Sequence, residues 1–225
     1  MPSPTVVFDL DGTLIDTAPD LIDTLNIILA RHDVAPVPFK EARTMIGAGV
    51  KPLLQRGLAA NAVQLPPEEM DRLYAEYLEV YAAHIADRSR PFPGLEQALD
   101  ALAAQGSRLA VCTNKLEWLS VKLLKALGLA ERFAAICGQD TFAMRKPDPD
   151  MLRLTIVRAG GDTGHAVMVG DSMTDVATAR AGGVPVIAVD FGYTDTHPED
   201  LGADRLIHHF SALPEAVAAL IPARV

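Results

Sequence analysis

"VVFDLDGTLID", Val6–Asp16, decides how the rest of the chain is read. Val6, Val7 and Phe8 form an apolar run of the kind a strand buried on both faces requires. The run ends directly in two carboxylates, Asp9 and Asp11, followed by Gly12 and Thr13. Buried charge without a partner is expensive, so a strand ending this way must open on a site that cancels it. Gly12 supplies the freedom for a sharp exit.

Working outward, four more apolar runs have the same character: residues 107–114, 133–138, 165–171 and 184–190. A weaker one at 203–210 is expected as an edge strand. Between them lie stretches with helical spacing at 93–106, 116–128, 148–160, 173–182 and 211–221. In the first, Leu95, Leu99 and Leu102 share one stripe and Gly106 is placed to end it. Strand–helix alternation of this kind predicts an α/β fold: a doubly wound, Rossmann-like parallel sheet.

The alternation stops over residues 17–88, where the pattern is all helical: 20–32, 39–47, 51–60 and 67–85. Thr17 is the expected N-cap of the first of these, with Pro19 and Asp20 in its first turn. "RSRPFPG", 88–94, carries two prolines and a glycine and predicts a return linker. The expected organisation is therefore a catalytic core from residues 1–16 and 89–225, with a small all-helical cap domain, 17–88, inserted after the first strand.

Composition narrows the function classes. The 225 residues are 49% apolar and 22% charged, ordinary for a globular chain. The formal net charge of −9 disfavours nucleic acid or an anionic membrane as partner. The N-terminus lacks a signal-peptide layout, and no run approaches the ~20 apolar residues of a membrane helix. Cys112 and Cys137 have neither metal-site nor redox spacing and are expected as buried structural thiols. A cytoplasmic protein is the expectation.

Four polar clusters stand where apolar strands end or helices begin: "DLDGT" at 9–13, "TN" at Thr113–Asn114, "KPDP" from Lys146, and "GDSMTD" at 170–175. In an open α/β sheet, ligands bind beyond the carboxyl ends of the strands. Asp9, Asp11, Asp171 and Asp175 would then meet in one crevice and repel one another. Oxygen-only ligands without His or Cys select a hard divalent cation, and few protein ligands favour Mg2+. Carboxylates, Mg2+, a lysine and a hydroxyl together describe a site for phosphoryl chemistry, in which a carboxylate can attack phosphorus itself.

These four motifs, in this order, resemble those of the haloacid dehalogenase superfamily, and the helical insert resembles its small cap. Within that superfamily, "DLDGTLIDTAPDL" and "RTMIGAGVKPLLQRGL", 43–58, are similar to the phosphoglycolate phosphatase group. The resemblance implies an Mg2+-dependent phosphomonoester hydrolase acting on a small phosphate ester, with 2-phosphoglycolate first among the substrates. A sugar-phosphate phosphatase or a phosphomutase is the alternative within the superfamily. A non-catalytic phosphometabolite-binding protein is the alternative outside enzymes. Asp9 is implied as nucleophile and metal ligand, and Asp11 as general acid/base with its backbone carbonyl on the metal. Thr113 and Asn114 are implied to hold the phosphoryl oxygens, and Lys146 to neutralise Asp9 and the phosphoryl group. Asp171 is implied to ligate Mg2+ directly, Asp175 directly or through water. Asp11 argues for phosphate esters over halides, because a halide needs no proton on leaving.

Several residues carry two readings. Asp171 could merely cap the helix that follows it. Gly47 and Gly49 either permit a tight turn or bring backbone close to substrate. Arg43 and Lys51 are either contacts for a substrate carboxylate or part of a solvated face. Trp118 is expected to pack its helix, and the dispersed histidines to be solvated or packed. The assembly is left as a monomer or a homodimer.

Overall fold

The computed structural model describes residues 3–194 and 196–221; the parts of the expected core at residues 1–2, 195 and 222–225 lie outside the described residues. The first strand, β1 (Thr5–Phe8), is followed by the short β2 (Ile15–Asp16) and four helices: α1 (Ala18–Arg31), α2 (Phe39–Arg43), α3 (Val50–Ala60) and α4 (Pro67–Ala83). The chain returns through β3 (Arg90–Pro91) and α5 (Leu95–Ala104). It then alternates: β4 (Arg108–Cys112), α6 (Glu117–Ala126), β5 (Ala135–Cys137), α7 (Pro149–Arg158), β6 (Ala166–Gly170), α8 (Met173–Gly182), β7 (Val186–Val189), β8 (Arg205–Ile207) and α9 (Leu213–Leu220).

Six strands form one sheet in the order β5-β4-β1-β6-β7-β8. Every pairing in it is parallel. The central position of β1 puts Asp9 at the middle of the sheet's carboxyl edge. Its amide still pairs with the Val169 carbonyl at 2.9 Å, so the ladder runs to the base of the site.

The two-residue period of a strand explains why these runs are apolar throughout. Val6, Phe8, Leu109, Val111, Val167 and Val169 face one layer, with Leu99 of α5, Leu123 of α6 and Leu213 of α9. Val7, Ala110, Cys112 and Met168 face the other, with Met151 and Ile156 of α7 and Ala179 of α8. Both faces are therefore roofed by helices. The expected stripe Leu95, Leu99 and Leu102 is buried, and Gly106 follows the helix end with φ +81°. Cys112 and Cys137 are buried, unoxidised and opposite each other on β4 and β5.

The helical stretch leaves and rejoins the sheet by two strands that pair antiparallel, Ile15 with Pro91 and Asp16 with Arg90. Asp20, in the first turn of α1, clasps this junction: it accepts from the Arg88 amide and from the Ser89 amide and hydroxyl, at 2.6–3.1 Å. Three expectations need correction here. The helical pattern over 39–47 stops at Arg43: the amides of Thr44, Met45 and Ile46 bond only three residues back, and Gly47 adopts φ +118°, a value no right-handed helix contains. The expected linker at 88–94 includes the paired strand β3. The edge strand is shorter than its apolar run and ends at Ile207. No helix among the described residues is long and apolar enough to cross a membrane.

Candidate active site

The local fold of "LDGTLI" is a tight turn. The amides of Thr13, Leu14 and Ile15 all point at the Leu10 carbonyl, at 3.1–3.3 Å. Gly12 sits in it at φ +84°, and a Cβ there would lie 2.6 Å from Asp171 Oδ2, so both conformation and space exclude a side chain. Thr13, fully buried, donates to Asp171 Oδ1 at 2.9 Å. The turn thus ties the end of β1 to the end of β6.

Four sequence-predicted residues meet here. Carboxylate oxygens of Asp9, Asp171 and Asp175 lie within 4.8 Å of one another, and all three side chains are buried. The Lys146 ammonium lies 2.9 Å from Asp9 Oδ1 and 2.6 Å from Asp175 Oδ1. Asp175 uses its other oxygen on the Ser172 amide and hydroxyl. Ser172, not Asp171, is the N-cap of α8; Asp171 instead accepts from Thr13 and, at 2.7 Å, from the Tyr193 amide. The capping alternative for Asp171 therefore falls.

Three carboxylates facing one ammonium leave an excess of negative charge out of water. Burial, partly relieved by Lys146 and reinforced by the Asp175 charge, pushes Asp9 up to about 6. Burial, then Asp175 and Asp9, push Asp171 up to about 7. Burial works against the charged form of Lys146, but Asp175 and Asp9 outweigh it and hold the ammonium above its ordinary range. An all-oxygen donor set with uncompensated charge fits a hard divalent cation such as Mg2+. The Cys112 thiol behind the site is pushed up to about 12 by burial and stays an inert core group.

Asp11 faces elsewhere. Its carboxylate accepts from Thr17 Oγ1 at 2.8 Å and from Lys115 Nζ at 3.1 and 3.3 Å. Thr17 stands at the expected N-cap position, but its hydroxyl serves Asp11 and not the helix. The first amide of α1, Ala18, donates to the Tyr193 hydroxyl, which in turn donates to Asp16. Thr113 accepts from the Lys115 amide at 3.2 Å. Asn114 donates to the Lys146 carbonyl, while its Oδ1 is buried without a protein partner.

A small cleft joins these groups; Asp9, Asp11, Thr113, Asn114 and Lys115 form its floor. Gly47, Gly49, Val50 and Leu53 wall it from the helical side. A Cβ on Gly49 would come 3.2 Å from the Asn114 carbonyl, whereas one on Gly47 would meet nothing within 4 Å. Both expected cap glycines thus line the cleft, and the Gly49 backbone also lies close to the core. Arg43 does not line it: its guanidinium donates to the Phe191 carbonyl at 3.1 Å and lies over the Tyr193 ring. Lys51 is exposed and paired with Asp71 at 2.5 Å. Trp118 is exposed, contrary to the packing expectation, because α6 turns its Leu119, Leu123 and Leu124 inward.

Three participants escaped the sequence reading. Lys115 directly follows "TN" and is buried; a lysine continuing a polar strand end was a usable signal. Tyr81 of α4, whose hydroxyl accepts from Lys115 at 2.8 Å, is indistinguishable by pattern from a core residue of its helix. Tyr193 lies far along the chain from Asp16 and gave no signal.

The family model of the haloacid dehalogenase-like hydrolases matches residues 6–189, from the first strand to the end of β7. The chain belongs to this family. Among curated members, the phosphoglycolate phosphatase of Mesorhizobium japonicum is 50% identical, over 97% of this chain and 96% of its own length. That of Caulobacter vibrioides is 46% identical, over 96% and 92%. The crystal structure of a predicted phosphoglycolate phosphatase from Haemophilus somnus matches with a TM-score of 0.89 at 26% identity, covering 95% of this chain and 97% of that one.

Proposed function

We propose that this haloacid dehalogenase-like hydrolase is an Mg2+-dependent phosphatase of 2-phosphoglycolate, with Asp9 as its nucleophile. The observation that carries the reading is the contact of Asp9 with Lys146 inside a buried carboxylate cluster at the mouth of a small cleft. The identity to curated phosphoglycolate phosphatases over nearly the whole chain supports the substrate.

Asp9, Asp171 and Asp175, with the backbone carbonyl of Asp11, would hold the Mg2+. Asp175 already accepts from Lys146 and Ser172, which favours a contact through water. The ion supplies charge neutralisation at the phosphoryl group. Asp9 attacks phosphorus and forms an aspartyl-phosphate, while Asp11 gives a proton to the departing alkoxide. Asp11 then takes a proton from the water that attacks the aspartyl-phosphate, releasing inorganic phosphate. Lys146 offsets the charge on Asp9 and on the phosphoryl group, and Thr113 and Asn114 hold phosphoryl oxygens. The helical segment 17–88 acts as a cap over the core, 1–16 and 89–225, excluding bulk water and selecting the substrate. The reading has the enzyme act in the cytoplasm on a small phosphate ester.

The test is phosphate release from a panel of small phosphate esters with Mg2+. The expected result is the highest kcat/KM for 2-phosphoglycolate. A higher value for sugar phosphates, or tight ester binding with no phosphate released, would refute it.

A further inference from the structure

The residue that binds the leaving group is the open question within this reading. Among the described residues, the cleft lining contains two carboxylates, Asp9 and Asp11, and a single cation, Lys115. Its remaining polar lining, Thr113, Asn114 and Gln139, is neutral, and Leu21, Ile46, Val50 and Leu53 make the far wall apolar. A second anionic group on a substrate therefore has one charged partner available in the cleft.

The position of that partner is specific. The Lys115 side chain is 2% exposed and its Nζ lies 3.1 Å from Asp11 Oδ1. A general acid at Asp11 must stand within hydrogen-bond reach of the ester oxygen it protonates. Lys115 is thus about two hydrogen-bond lengths from that oxygen. In 2-phosphoglycolate the carboxylate is separated from the same oxygen by one methylene. The ammonium also has donor capacity left. Its contacts at 3.1 and 3.3 Å to the two oxygens of one carboxylate are a forked bond, and a second donor serves the Tyr81 hydroxyl at 2.8 Å. An ammonium carries three donors.

We infer that Lys115 is a specificity-determining residue: it pairs with a carboxylate carried next to the phosphoester oxygen and so selects α-carboxylated phosphate esters. Tyr81, from the helical segment, fixes the ammonium from the far side, which makes the recognition depend on contact between that segment and the core. The inference rests on the proposed phosphatase reading and adds to it the residue that reads the leaving group.

The experiment compares kcat/KM for 2-phosphoglycolate and for ethyl phosphate, which has the same chain length and no carboxylate, with Mg2+ present. It uses the wild type, Lys115→Met and Lys115→Gln. The wild type should strongly prefer 2-phosphoglycolate. Both substitutions should lower the preference ratio about 100-fold, the loss expected for one charge-assisted contact. Lys115→Arg should keep most of it. A role limited to orienting Asp11 would slow both esters by the same factor and leave the ratio unchanged, and that result overturns the inference. If the methionine variant does not fold, the glutamine variant, which retains a donor for Asp11 and Tyr81, carries the same comparison. A wild type without preference for 2-phosphoglycolate would refute the proposed substrate, and this inference with it; preference in the wild type with an unchanged ratio in the variants refutes only the role of Lys115.

Discussion

The two carboxylates of "DLDGT" have opposite surroundings, although one residue separates them. Asp9 sits in a network made by the core alone: Lys146, Asp171 and Asp175, with Thr13 and the Tyr193 amide bracing Asp171. Asp11 is held by groups of mixed origin: Lys115 from the core, Thr17 at the start of the helical segment and, through Lys115, Tyr81 of α4. On the proposed reading the first network would serve the phosphoryl group, which is common to all phosphate esters, and the second would meet the part of the substrate that differs between them. A fold can thus keep one chemistry while changing what it accepts.

Breaking the Asp9 side should have the largest effect. Asp9→Asn should reduce phosphate release by on the order of 10⁴-fold or more, with the far-UV spectrum and Tm retained. Substantial Mg2+-dependent turnover in that variant would remove Asp9 as nucleophile. Lys146→Met should come next, at about 10³-fold in kcat. It should also lower Tm more at pH 8 than at pH 5.5, because at high pH it leaves the ionised Asp9 without its cationic partner. A Tm loss independent of pH would contradict this electrostatic role.

The metal-free protein offers a pH test of the same network. Asp9 and Asp171 are raised in the folded state, to about 6 and about 7. The folded protein therefore holds protons that the unfolded chain has already released. Stability must fall as pH rises through these values. Tm without metal should decline from pH 5.5 to 8, and the increase on adding Mg2+ should be larger at pH 8. The opposite slope in thermal melts would show that burial does not dominate the two carboxyls.

The smallest effects belong to the helical side. Gly49→Ala should lower kcat/KM by roughly 10-fold, because a methyl would press on the Asn114 carbonyl at a left-handed backbone position. Gly47→Ala, strained by its φ but free of steric contact, should cost less. Equal losses in steady-state kinetics would show that backbone strain, and not closeness to the core, sets the cost.

What could be read from the sequence follows the same division. Strands buried on both faces leave continuous apolar runs, so the sheet and the clusters at its carboxyl edge were legible down to Asp9, Lys146, Asp171 and Asp175. The helical segment was legible as helices but not as partners. Tyr81 reaches Lys115 only through the packing of α4 on the core, and nothing local distinguishes it from Tyr77 one turn earlier, which is equally buried. The pattern over 39–47 continued past Arg43 because spacing registers neither the tightened turn over 44–46 nor the positive φ of Gly47. Trp118 misled because a large aromatic on a helix is expected inside, whereas three leucines already fill the buried face of α6.

The stereochemical course of hydrolysis tests the covalent role of Asp9 most directly. With a phosphorothioate analogue of 2-phosphoglycolate, chiral at phosphorus through two oxygen isotopes and hydrolysed in water carrying the third, attack by Asp9 followed by attack of water gives two in-line displacements and thiophosphate with retained configuration. Inversion would mean that water attacks the substrate directly and that Asp9 forms no bond to phosphorus.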